Sequence, residues 1–226
     1  MPIVKDLTAP FGLFAVGAIS LAAIATGFAV LRAEDDALDS EVEWIQDDID
    51  AYWDRQSRTA GFDYDEPHKV EYYTTEYDTP CGETIANNAF YCSADHSIYL
   101  HQPFLEEQAA SAGRYAPAYI LAHEWGHLVQ DDLGILESPN FSIQVELQAD
   151  CFAGAYTADL DARDERFQDE DLVAATTTLI EVGDPEHYPW FAPGAHGTSD
   201  QRVNAFEAGY NGGFEACTAP PFAQER

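Results

Sequence analysis

His123-Glu124-Trp125-Gly126-His127 is an HExxH arrangement, two imidazoles four residues apart with a carboxylate directly after the first. On a helix, residues four apart share a face with Cβ atoms about 5–6 Å apart, so both rings can grip one zinc ion. Zinc then needs at least one more protein ligand and an open position for water. Glu146 is the expected third ligand, because it lies on the next predicted helix and an antiparallel return would bring it to the metal. Asp150, one turn further on, is placed to accept the second ring N–H of a ligating histidine, which fixes its tautomer and raises its basicity. Glu124 is expected beside the metal-held water: zinc lowers the pKa of that water from about 16 to about 7, and the carboxylate draws the proton as the water attacks a carbonyl. Gly126 keeps the helix surface small at this point.

Other histidines carry less. His196, in Gly194-Ala195-His196-Gly197-Thr198 just before a predicted helix, is a candidate catalytic donor to a developing oxyanion, and equally a loop histidine tied to backbone. His68, His96, His101 and His187 have no comparable context and read as surface or core residues. Gln130 and Leu133 stand where an HExxHxxGxxH pattern needs glycine and histidine, which excludes a third histidine ligand from the same helix. Tyr156 reads as a packing residue.

The elements that must position these residues follow from periodicity. Ser40 and Glu43 form a capping box, and Val42, Ile45, Ile49 and Trp53 recur at helical spacing toward Gly61. Short aromatic and β-branched runs at 70–75 and 97–100, separated by Pro, Gly, Asn and Asp, predict strands of a small sheet. From residue 103 the pattern is mostly helical. Pro117 suits the first turn of the helix carrying the HExxH residues, 131–141 reads as a loop, and Ser142 caps a helix over roughly 143–160. Asp169 to Val182 predicts a further helix, and 184–197 an ordered loop. Thr198 and Gln201 repeat the capping box before Val203, Phe206 and Tyr210.

Forty-one Asp and Glu against ten Lys and Arg give a formal charge of −31 over 226 residues. The first 33 residues hold Lys5 and Arg32 against Asp6, so the rest of the chain is more acidic still. Such a body repels nucleic acid and anionic membrane surfaces. Its poverty in lysine suits a high-salt setting, or simple solubility. Phe11 to Leu31 is 21 residues without a charge, long enough to span a bilayer as a helix. Its length favours a retained anchor over a cleavable signal peptide, for which Gly27-Phe28-Ala29 would be the cleavage site. Either reading exports the acidic part: membrane-anchored with the catalytic domain outside the cytoplasm, or secreted. The division expected is a segment 1–33 and an exported domain 34–226. Four cysteines in an oxidising compartment suggest two bridges among three connectivities. Cys81 and Cys92 bracket a short loop-like stretch, so 81–92 with 151–217 is preferred. A thiolate zinc cage is disfavoured because no CxxC pair is present.

Phe90-Tyr91-Cys92-Ser93-Ala94-Asp95, Ile98-Tyr99-Leu100, HEWGHLVQ at 123–130, ELQADCFAGAY at 146–156 and HGTSDQRV at 196–203 together resemble the neutral zinc metallopeptidase family of bacteria. The resemblance runs from about residue 80 to 213. It implies an α+β, zincin-like fold with a small sheet packed on an active-site helix and a mostly helical C-terminal half. It also implies the ligand set His123, His127 and Glu146 for Zn2+, with Glu124 as catalyst and Asp150 behind the ligands. In zincins generally a strand near the metal pairs with an extended substrate, and Ser97 to Leu100 is the candidate here. The expected function is zinc-dependent hydrolysis of peptide bonds in a peptide or protein substrate. The rivals are an inactive zincin scaffold that binds a cell-envelope component, and a zinc hydrolase acting on another amide or ester.

Overall fold

In the computed structural model, residues 44–136, 142–192 and 194–219 are described. The apolar run Phe11 to Leu31 and the Ser40–Glu43 capping box lie outside them. Among the described residues no helix is long and apolar enough to cross a membrane.

The periodic Ile45, Ile49 and Trp53 bury one side of a helix over residues 44–60, α1. Five strands follow: β1 (Lys69–Tyr73), β2 (Asp78–Thr79), β3 (Gly82–Glu83), β4 (Ala89–Cys92) and β5 (Ser97–His101). Then come five helices: α2 (Gln102–Ala112), α3 (Ala116–Asp132), α4 (Ser142–Arg163), α5 (Asp169–Glu181) and α6 (Ser199–Cys217). The architecture is α+β, with a helical C-terminal half as expected. The loop expected from 131 starts later, since Asp131 and Asp132 still belong to α3.

β1, β5 and β4 form a mixed sheet in that order, β1 parallel and β4 antiparallel to β5. This corrects the expectation for Ser97 to Leu100. β5 is the central strand, hydrogen-bonded on both sides and buried at all five positions, so it has no edge to offer a peptide. β4 and β1 are the two edge strands. Asn88 accepts the His101 amide at 3.0 Å, so by antiparallel alternation Ala89 and Tyr91 turn their backbone groups away from β5. β2 and β3 make a separate antiparallel pair, and the Cys81–Cys92 disulfide ties that hairpin to the end of β4.

α3 is buried along most of its length, between β4 on one side and α4 on the other. Gly126 serves this packing: a Cβ there would come within 3.0 Å of the Ala149 backbone on α4. Its bareness therefore answers to the neighbouring helix, a more specific reason than a small surface beside a metal. α4 and α6 approach even more closely, with a Cβ on Gly209 falling 1.8 Å from the Cys151 carbonyl oxygen. The second disulfide, Cys151–Cys217, joins the same two helices, and both pairings are those preferred from the sequence. Trp53, Phe152 and Phe214 pack edge-to-face and stacked where α1 meets α4 and α6.

Candidate metal centre

α3 and α4 run past one another so that His123, His127 and Glu146 converge, with one donor atom from each lying within 4.8 Å of the others. His123 Nε2 is 3.2 Å from Glu146 Oε2, and His127 Nε2 is 3.7 Å from Glu146 Oε1. Ligands on a tetrahedral zinc at about 2.0–2.1 Å stand about 3.3 Å apart, so these spacings suit the ion.

The outer ring nitrogens are engaged, which turns both Nε2 atoms toward the same point. His123 Nδ1 lies 2.8 Å from Asp150 Oδ1, the contact expected for Asp150. The same carboxylate accepts from Tyr119 OH at 2.6 Å and from both Nε and Nη2 of Arg202 at 2.8 Å. His127 Nδ1 lies 2.9 Å from Gln130 Oε1. Tyr119, Arg202 and Gln130 were not anticipated as parts of the site. The positions of Tyr119 and Gln130, one turn before and after the ligand candidates on the same face of α3, could have flagged two of them.

Charge at this point favours a cation. Burial lowers the pKa of His123, but Asp150 and then Glu146 outweigh it and push the group up to about 10. Burial likewise opposes the rise at His127, which Glu146 drives. Glu146 moves the other way: burial would raise it, yet the two imidazoles hold it well below the usual carboxylate range. Asp150 would also be raised by burial, but Arg202 leads its neighbours in holding it down at about 2. Two ionised carboxylates thus bear on the two imidazoles, and the group His123, His127 and Glu146 is of the kind that suits a divalent ion.

Glu124 does not join the three ligand candidates. Its Oε2 accepts the Tyr91 amide N–H at 2.9 Å, so an outward-facing backbone donor of edge strand β4 holds the carboxylate. A cleft of about 610 Å³ opens here, lined among others by Ala89, Tyr91, Glu124, Glu146, His196 and Arg202. His196 therefore reaches the cleft, about half exposed, with Nδ1 3.8 Å from Asp184 Oδ1. Its backbone N–H donates to Asp184 Oδ2 at 2.7 Å, so the loop is tied down while the ring stays at the rim. Tyr156 is a buried packing residue whose hydroxyl donates to Asp48 Oδ2 at 2.8 Å. Among the described residues, no other histidine belongs to a cluster of metal-ligating groups.

The uncharacterized protein YpfJ of Escherichia coli K12 is 30% identical over 184 residues, covering 71% of this chain and 63% of that protein. The uncharacterized protein Rv2575 of Mycobacterium tuberculosis H37Rv is 29% identical over 184 residues, covering 66% of this chain and 60% of the relative. The chain thus spans about three fifths of the length of these curated relatives. No solved structure matches it. The family described as "Putative neutral zinc metallopeptidase" matches residues 17–219, which includes every residue of the candidate centre, and the chain belongs to that family.

Proposed function

We propose that this protein is a zinc-dependent peptidase of zincin-like architecture, with His123, His127 and Glu146 as metal ligands and Glu124 as general base. The observation that carries the reading is the convergence of two imidazole Nε2 atoms and a carboxylate beside a separately held glutamate, all on one cleft. Zinc held there would polarise a scissile carbonyl and lower the pKa of a water to about 7. The chain's own groups then have distinct tasks. The Tyr91 N–H fixes one oxygen of Glu124, and the other takes the proton of the attacking water and returns it to the leaving amine. Asp150 and Gln130 hold the ligating rings in the tautomer that presents Nε2. His196, at the cleft rim, donates to the oxyanion in this reading. An extended peptide pairs with β4 at Ala89, whose backbone groups face away from β5.

Two disulfides and the apolar run Phe11 to Leu31 support an exported, membrane-anchored enzyme acting on peptide or protein substrates. Metal analysis and hydrolysis of a mixed peptide pool, with the chain and its Glu124→Gln variant, test the proposal. Expected are one zinc per chain in both proteins and cleavage only by the parent, with a loss of at least about 10²-fold in the variant. Zinc without cleavage in either would favour a peptide-binding scaffold, and no zinc would undo the ligand assignment.

A further inference from the structure

His127 is the inner end of a buried hydrogen-bonded chain that leaves the site altogether. Gln130 Oε1 faces its Nδ1 at 2.9 Å, while Gln130 Nε2 donates to the Val145 carbonyl at 2.7 Å and to Gln148 Oε1 at 3.0 Å. Gln148 Nε2 in turn donates to the Cys217 carbonyl at 3.0 Å. Gln130 is fully buried and Gln148 nearly so. Backbone carbonyls fix the orientation of both amides. Val145 and Cys217 offer only acceptors, so each glutamine must turn its nitrogen to them and its oxygen inward. The polarity of the whole chain follows: Gln130 presents an acceptor to His127, Nδ1 carries the proton, and Nε2 presents its lone pair.

The last member is itself anchored. Cys217 ends α6, its sulfur is bridged to Cys151 on α4, and α6 breaks from helical geometry at Gly213, four residues before it. We propose that Gln130 and Gln148 are positioning residues that set the tautomer and angle of His127 by tying it to the disulfide-anchored end of α6. This deepens the zinc reading and rests on it for its metal readout. The Nδ1–H bond to Gln130 stands independently of any metal. His123 is held by an ionic pair, Asp150 and Arg202, whereas His127 is held by two neutral amides; the two ligands are thus positioned by different chemistry.

The test uses the full chain with Gln130→Met, Gln130→Glu and Gln148→Met, each checked for folding by circular dichroism. Two readouts are taken: zinc affinity with the d–d bands of the cobalt-loaded protein, and the nitrogen-15 resonance of the His127 Nδ1–H. Expected is a loss of about 10–100-fold in zinc affinity and shifted cobalt bands for Gln130→Met, with about tenfold for Gln148→Met. Gln130→Glu, which still offers Nδ1 an acceptor but loses both amide donors, falls between the parent and Gln130→Met. If packing alone mattered, the ranking would invert, because a buried carboxylate is worse tolerated than methionine. Parent affinity in Gln130→Met, or a Gln148→Met protein identical to the parent, would overturn the proposal. So would a parent in which the Nδ1–H signal is missing. A parent that shows that signal, lost in Gln130→Met, yet binds neither zinc nor cobalt would uphold the tautomer relay while sinking the zinc reading.

Discussion

Asp132, the last residue of α3, accepts the Asp65 amide at 3.1 Å through Oδ2. Burial, ahead of the neighbouring Asp65 and Asp131 charges, raises its pKa from 3.8 to about 6. A carboxyl raised on folding adds stability below the unfolded pKa, and that contribution is lost as pH rises from about 4 through about 6. Asp132→Asn keeps the acceptor without the charge, so it should match the parent near pH 4 and exceed it at pH 7. Solvent screening at this half-buried position limits the gain to about 1 kcal/mol, or about 2–4 °C in Tm. Melting curves at the two pH values check this, and an equal difference at both would refute it. Arg202 presents the opposite case. Arg202→Met leaves a buried Asp150 carboxylate without its cation, and about 3–5 kcal/mol of stability should go with it, read by denaturant unfolding. How well such residues can be read from the sequence depends on distance along the chain. The pairs His123 with His127 and Glu146 with Asp150 are legible because helical spacing is local, while bringing Glu146 to His123 and His127 rests on the antiparallel return of the next helix. Arg202 reaches Asp150 across 52 residues, and the group that holds Glu124 is a backbone amide, which no side-chain pattern records.

Among the elements, α4 and α6 are bound by close backbone approach and by the Cys151–Cys217 bridge. The bridge closes a loop of 66 residues, for which chain entropy gives about 4 kcal/mol. A Cys151→Ala, Cys217→Ala protein should therefore unfold at markedly lower denaturant, and an unchanged midpoint would refute the assignment. Capping chemistry made α6 readable: Thr198 and Gln201 form the expected box and the helix starts at Ser199. The α5 box, closed by Gln168 and Asp171, was not readable, because glutamine is an unusual cap. Strand order was also hidden. β5 looks like a pairing strand in isolation, and only its parallel partner β1, 28 residues earlier in register, makes it central. Its burial at all five positions is the trace of that placement.

Across the whole molecule the outlying feature is charge, −31 with ten basic residues, one of them spent inside the site as Arg202. Substrates should feel this at long range. With matched peptides, the basic set should be cleaved faster at low salt, the difference fading at ionic strengths above about 0.15 M, where the Debye length is about 8 Å. Faster cleavage of the acidic set would sink this expectation. Composition carries this charge, but it says nothing of the fold. Periodicity showed short strands followed by helices, the family resemblance implied the α+β class, and the disulfide pairs came from the short span between Cys81 and Cys92.

Edge-strand amides ordinarily trade their hydrogens with solvent quickly, since no neighbouring strand shields them. The Tyr91 amide lies on such an edge but is shielded by the Glu124 carboxylate. Its deuterium uptake is therefore a natural gauge of that one side chain. Whenever the carboxylate swings aside or is replaced by a poorer acceptor, a single backbone site should begin to label while its strand neighbours stay unchanged.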